Sequence, residues 1–380
     1  MMEDRAAAYE GIRNRAFLYE VLLSTAFLLV FALSGASALI SAHIEAYCPN
    51  IYLTIAVYVV CFALLYLVVT FPLSFYSGFV VERRFALSAQ TPAAWLWDYL
   101  KAAGVGLVLF LTAIELVYAL LRKCPGSWWI WGALIWIGGG VVLARLSPRL
   151  LIPLFFRLEL IEDEALAGRL MGLAGKAGVA VRALYTIDMS SKSRKANAAV
   201  AGFGGKKIII LSDTLLSDYN PGEIEAVLAH ELGHYAGRHL MKRAAVSSAL
   251  VVCGFFIAGR VMASLIGMAG IASIDEIAGL PLLVLVLFVF GLAVLPLENA
   301  YSRKLEKDAD AFSFQCGGRP EEFISAMRKL SKQNLVRERP NRVMELLLHG
   351  HPSISARIKM ARKYMNSGSD ESCTDLSQSI

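Results

Sequence analysis

The apolar positions of this chain gather into runs of about 20 residues, the length that carries a helix across a bilayer. Six runs qualify: 17–40, 51–76, 102–121, 128–146, 244–272 and 280–297. The first is too long for a removable signal peptide, and it lacks a small-residue cleavage flank, so it reads as a retained span. Elsewhere the pattern turns polar and amphipathic in two blocks, 151–243 and 298–365. The remainder, 366–380, is polar and Ser-rich and reads as a disordered tail.

In the first block, residues 162–178 repeat apolar positions at helical spacing and stop at a glycine. Residues 183–187 read as a strand, and 198–203 with 207–211 as a hairpin turning through Gly204-Gly205. Residues 212–217 turn out of the sheet. Asn220-Pro221-Gly222-Glu223 then opens a helix: Asn220 caps, Pro221 suits the first helical position, and Glu223 completes a capping box. That helix is expected to continue to about Arg243 and into the fifth span. The second block is expected to be helical at 298–315, 321–338 and 353–365. The organisation is thus a membrane region, 1–150, with four spans; the first half of a polar domain, 151–243; two spans within 244–297; and the second half, 298–365. This is a mostly α membrane protein with an α+β domain that carries a small hairpin or sheet.

Composition agrees. Hydrophobic residues make up 57% of the 380 and charged residues 18%, against about 45–50% and about 25% in soluble domains. The mean hydropathy is +0.55. A disordered chain, a collagen-like chain and a small disulfide scaffold are excluded. The net charge of +6 reads as topology: alternating the spans puts 34 of the 37 Lys and Arg on one face. By the positive-inside rule that face is cytoplasmic, with both termini and both polar blocks there. Trp128, Trp129 and Trp131 then fall at the outer interface. No RNP motif, zinc-finger spacing or dense basic run is present, so no nucleic-acid partner is expected; the partners are the bilayer and a peptide or protein substrate. None of the six cysteines forms a C-x-x-C pair. Cys48 and Cys124 both fall in outer loops, where a disulfide and two free thiols are both open. Glu115 and Arg260 lie inside spans and should face protein or water.

The candidate chemistry sits in His230-Glu231-Leu232-Gly233-His234. Residues i and i+4 share one helix face, so the two imidazoles can hold one Zn²⁺ and Glu231 can take a proton from water activated there. With 6 His and 20 Glu in the chain, chance would give this pattern only about 0.005 times. Zinc needs a third protein ligand. Glu306, one turn before Asp310 on the same face, is the best candidate, and His239 and Glu298 compete with it on spacing alone.

The chain resembles the integral-membrane zinc metalloproteases of the CAAX prenyl endopeptidase type I and HtpX family. The resemblance runs through Pro72-Leu73-Ser74-Phe75-Tyr76, Glu82-Arg83-Arg84-Phe85-Ala86-Leu87-Ser88, Trp97-Asp98-Tyr99-Leu100-Lys101 and Ala196-Asn197-Ala198. It continues through His230–His234, Ser302-Arg303, Glu306, Ala309-Asp310 and His351-Pro352 with Arg357. Four spans before the zinc helix favour the CAAX branch. The resemblance implies a zincin-like (gluzincin) protease domain with one Zn²⁺ held by His230, His234 and Glu306. Glu231 would be the general base and Asp310 would orient a ligand histidine. His351 would act as oxyanion donor, and Asn197 and Ala198 would lie on a substrate-binding edge strand. Arg303 and Arg357 would be structural or near the site. Two departures stand out: Ala86 replaces the family's usual glycine, and the compact loops look prokaryotic, so substrate identity does not carry over. A site-2-type intramembrane protease lacks support, because the motif lies outside the spans and no L-D-G motif occurs. A catalytically silent scaffold or transporter is the alternative from another class, and the intact ligand and base set speaks against it.

Overall fold

The computed structural model describes residues 2–202, 207–265, 271–317 and 319–367. Among these residues, six helices are long and apolar enough to cross a membrane: Glu3–Leu33, Ile51–Arg84, Pro92–Lys123, Trp128–Phe155, His239–Leu265 and Ile277–Gln315. Each contains one of the six apolar runs, or most of it. Only 11% to 33% of each apolar window is buried inside the protein, so most of the apolar surface faces outward, toward lipid. The chain is an integral, multi-pass membrane protein.

In chain order the membrane region comprises α1 (Met2–Leu33), α2 (Ala36–Tyr47), α3 (Ile51–Phe75), a π-turn at Tyr76–Val80 leading into α4 (Val81–Arg84), α5 (Pro92–Lys123) and α6 (Trp128–Phe155). The first run does not continue to residue 40. The chain breaks at Ser34-Gly35, where Gly35 has φ +78°, and α2 takes up the end of that run together with most of the outer loop expected at 41–50. Ile55, Tyr58, Tyr118 and Leu280 are fully buried where these helices meet. Glu115 is half-buried, and Arg260 lines a cavity of about 530 Å³ beside Trp128 and Trp129. Both therefore meet protein or solvent-accessible space, as their charge requires. Cys48 and Cys124 are free thiols.

The polar domain follows with β1 (Leu158–Leu160), α7 (Glu164–Lys176), β2 (Val181–Ile187), β3 (Ala198–Ala201), β4 (Lys207–Ser212) and α8 (Asp213–Asp218). Asp163 caps α7 by accepting from the Leu166 N–H at 2.9 Å. The sheet order is β1-β2-β4-β3; β2 and β4 are parallel and the outer pairs antiparallel. The expected hairpin is present as β3 and β4, with Ala198 opposite Leu211, and its turn at 203–206 lies outside the described residues. β3 is an edge strand. β1, only three residues long, carries no alternation that sequence could show.

Next come α9 (Pro221–Ala236), α10 (His239–Leu265), α11 (Leu280–Gln315), α12 (Pro320–Gln333), α13 (Arg342–Leu348) and α14 (Ile354–Ser367). Here the expectation of one helix from Asn220 into the fifth span is corrected. The helix stops at Ala236, turns through Gly237 and Arg238 (φ +50°), and restarts as α10. The fifth span, expected to reach residue 272, ends at Leu265; residues 266–270 lie outside the described set, and 271–272 are not helical. α12 ends five residues early, at a turn where Leu335 has φ +50°. α11, by contrast, runs unbroken from the last span through Pro296 into the polar domain. Leu170, Ile209, Leu211, Leu215, Leu228 and Leu232 fill the core between α7, the sheet and α9.

The span ends on the Lys/Arg-rich side are fastened to this domain. The Tyr9 hydroxyl donates to Glu82, and the Lys195 ammonium lies 3.0 Å from both the Tyr9 hydroxyl and Glu82 Oε2. Ser88 bridges to Ser193, and the Arg194 N–H donates to the Leu87 carbonyl at 2.9 Å.

Candidate active site

α9 begins with the reciprocal capping pattern expected from its sequence. Asn220 Oδ1 accepts from the Glu223 N–H, and Glu223 Oε2 accepts from the Asn220 N–H, both at 2.9 Å. Glu223 is buried and also accepts from Lys329 Nζ and Ser325 Oγ at 2.6 Å, which ties the start of α9 to α12. Burial alone would raise the Glu223 pKa, but the Lys329, Ser325 and Asn220 hydrogen bonds outweigh it and leave it below the usual carboxylate value.

Two turns further on, α9 crosses α11. His230 Nε2 and His234 Nε2 lie 3.2 Å apart, His230 Nε2 is 3.3 Å from Glu306 Oε2, and His234 Nε2 is 3.4 Å from Glu306 Oε1. Arms of 2.0–2.1 Å to a tetrahedral zinc place neighbouring ligands about 3.3–3.4 Å apart. The two imidazole nitrogens lie near that spacing, each reaches a different oxygen of the Glu306 carboxylate at it, and one ligand atom from each of the three residues lies within 4.8 Å of the others. Glu306 is buried, and the groups nearest its Oε2 are the imidazoles of His230 and His351, so it is an acceptor that a cation can also satisfy. Burial and the Arg357 charge favour neutral His230, yet Asp310 and Glu306 push its pKa up to about 9. Anionic surroundings that hold a proton so firmly also suit a divalent cation. Of the competitors for third ligand, Glu298 lies away from this cluster and accepts from Ser247 Oγ at 3.3 Å. His239 lies behind His234.

The groups around the three donors are ordered. His230 Nδ1 is 2.8 Å from Asp310 Oδ1, which leaves its Nε2 lone pair turned to Glu306. Asp310 is fully buried and held by both arms of Arg357, from Nε to Oδ2 at 2.9 Å and from NH2 to Oδ1 at 2.6 Å. Burial raises the Glu231 carboxyl pKa more than His230 and His234 lower it. His351 Nδ1 lies 2.8 Å from Glu306 Oε2. Arg303 is not in the cleft. Its NH1 reaches the carbonyls of Glu345, Leu346 and His349 at 2.9, 3.3 and 2.7 Å, and Asn299 Nδ2 reaches the Leu347 carbonyl at 2.8 Å. The helix that bears Glu306 therefore also holds the end of α13 and the turn that presents His351.

His230 and Glu231 open onto a cleft of about 530 Å³ that is also lined by Asn197, Ala198 and His351. The residues picked out in sequence thus assemble at one place, with Arg303 and Asp310 behind it. Sequence reading missed the wall formed by Tyr9, Glu10 and Arg13 of α1, together with Arg337. Glu10 lies 3.8 Å from His349 Nε2 and 4.0 Å from Arg337 NH1. Tyr9, Glu10 and Arg13 precede the first apolar run and carry no local pattern; only the long-range packing of α1 brings them to the site.

A pair of histidines one turn apart, a carboxylate from a second helix and a carboxylate between the histidines, carried by a multi-span bundle, define a membrane-embedded zinc metallopeptidase. The chain belongs to peptidase family M48, whose model matches residues 161–365. A second model, the CAAX prenyl protease N-terminal region with five membrane helices, matches residues 3–157. The chain is 28% identical to an uncharacterized metalloprotease, YhfN, of Bacillus subtilis (strain 168), covering 87% of this chain and 79% of that one. It is 24% identical to the Homo sapiens CAAX prenyl protease 1 homolog, over 76% and 69% of the two chains. Its fold matches the crystal structure of S. mikatae Ste24p with a TM-score of 0.85 and 20% identity, over 95% and 89% of the two chains.

Proposed function

We propose that this protein is an endopeptidase that cuts peptides or membrane-associated proteins at the His230–His234–Glu306 centre, with the cleft on the cytoplasmic side. The observation that carries the reading is the convergence of His230, His234 and Glu306, whose ligand atoms all lie within 4.8 Å of one another. A zinc ion held there would make water acidic near neutral pH and polarise the scissile carbonyl. Glu231 accepts the proton of the attacking water and passes it to the leaving amine; its raised pKa suits both transfers. The free edge of β3 at Asn197 and Ala198 pairs with the extended substrate backbone. His351, 69% exposed, exchanges its contact with Glu306 for the carbonyl oxygen of the substrate as charge develops there. Asp310 and Arg357 keep the His230 ring in place. The cytoplasmic orientation rests on the sorting of 34 of the 37 basic residues to one face, which is also the face fastened to the protease domain.

The test is to incubate the purified protein with a proteome-derived peptide library and a prenylated C-terminal peptide, with zinc present and after chelation. Cleavage that stops on chelation and returns with zinc supports the reading; a zinc-loaded protein that cuts nothing overturns it. The CAAX prenyl protease names of the relatives make the prenylated peptide the first individual substrate to try.

A further inference from the structure

The two histidines of the zinc helix are supported in different ways. His230 leans on a buried carboxylate, Asp310. His234 leans on another imidazole: its Nδ1 lies 3.0 Å from His239 Nδ1, and the rings meet edge-on at 80° with centroids 5.1 Å apart. His239 is buried, with 3% of its surface exposed, and it sits on the side of His234 away from Nε2, the nitrogen that faces Glu306. To offer the Nε2 lone pair to a metal, His234 must carry its proton on Nδ1. The nearest acceptor for that N–H is His239 Nδ1, which requires His239 itself to be neutral and protonated on Nε2.

The backbone is shaped to make this contact. α9 ends at Ala236, and Arg238 adopts φ +50°, which turns the chain back so that the first residue of α10 lies against the last turn of α9. Gly237 leaves room for the returning ring: a Cβ there would sit 2.3 Å from His239 Nε2 and 2.7 Å from Cδ2. Had the helix continued unbroken, residues 234 and 239 would point to different faces.

We propose that His239 is a positioning residue for the metal centre, fixing the tautomer and ring orientation of His234 through the Nδ1 contact. This inference rests on the zinc reading above. It also means that the first residue of the fifth span helix touches a metal-binding side chain directly. The two histidine supports differ in kind: a carboxylate stands behind His230 and an imidazole behind His234.

The experiment measures zinc affinity by chelator competition, and the visible spectrum of the Co²⁺-loaded protein, for full-length wild type, H239L, H239N and G237A. The thermal stability of each metal-stripped protein is the control for folding. Loss of the acceptor in H239L should weaken zinc binding by about 10–100-fold and alter the cobalt spectrum. H239N, whose Oδ1 falls where Nδ1 was, should stay near wild type. G237A, which keeps His239 but displaces its ring, should show the H239L loss, and the G237A/H239L pair should lose no more than H239L alone. Equal zinc affinity in wild type and H239L would overturn the inference. So would equal loss in H239L and H239N, which would assign the effect to ring volume. If H239L fails to fold, the contrast between H239N and G237A decides in the same way. A wild type that binds no zinc would instead overturn the zinc reading itself.

Discussion

Gly233 lies against Ala309 so closely that a Cβ on it would sit 2.9 Å from the Ala309 carbonyl oxygen and 3.1 Å from its Cα. This contact is where α9 and α11 cross, and it sets the distance between the helix bearing His230 and His234 and the helix bearing Glu306. Backbone cannot step aside as a side-chain tip can. We expect G233A to force the helices apart, with an overpacking cost of about 1–3 kcal/mol. Zinc affinity should fall together with thermal stability. A G233A protein with unchanged zinc affinity would mean that the crossing does not set the site.

The Asp310–Arg357 pair makes two separable predictions. D310N removes the anionic partner of His230 and should weaken zinc binding by about 10–100-fold. R357L leaves the fully buried Asp310 carboxylate without its cation and should destabilise the fold by about 3–5 kcal/mol. In the D310N/R357L double variant stability should partly return while zinc affinity does not. Unfolding curves and chelator titration of the three proteins separate the two effects.

Glu223 predicts a pH dependence. Its pKa is held below the ordinary 4.5, mainly by Lys329 and Ser325 against the opposing effect of burial. A carboxyl with a depressed folded-state pKa stabilises above its unfolded value and loses that contribution as pH falls through the folded value. Wild type should therefore exceed E223Q in stability at neutral pH, by about 1.5–3 kcal/mol for charged hydrogen bonds. The gap should close below pH 4.5. A gap that persists unchanged into acid would assign the effect to shape and not charge.

Ala86 occupies a left-handed conformation, φ +58°, between the Glu82–Phe85 segment and the bridge to Ser193. A side chain there costs about 1–2 kcal/mol, while glycine costs about 0.5–1 kcal/mol in chain entropy. A86G should therefore stabilise the protein by up to about 1 kcal/mol, read as a small rise in Tm in detergent. A lower Tm would contradict it.

What the sequence made legible follows from range. His230, Glu231 and His234 share one helical turn, so their spacing alone exposes the chemistry. Six apolar runs announce six spans because each is a local property. The break at Gly237 and Arg238 carries a glycine, but the apolar run beyond it reads as the same helix continuing, and only the φ of Arg238 shows that the face changes. For that reason His239 could be read as a rival to Glu306, when it stands behind His234. Glu306 needed a family resemblance, since two spans separate it from His234. The Glu10 wall of the cleft left no trace in sequence, because nothing local couples α1 to His349. Gly233 was visible as a letter and silent about its reason until Ala309 lay beside it.

Peptide hydrolysis and bound zinc, measured together in wild type and E231Q, separate the metal centre from the proton transfer. Glu231 is not among the three donors, so zinc should remain at one per chain in both proteins, and hydrolysis should disappear in E231Q. Hydrolysis that survives in zinc-loaded E231Q would contradict the role of Glu231 as the base. Loss of zinc along with activity would show that Glu231 supports the metal site rather than the proton transfer.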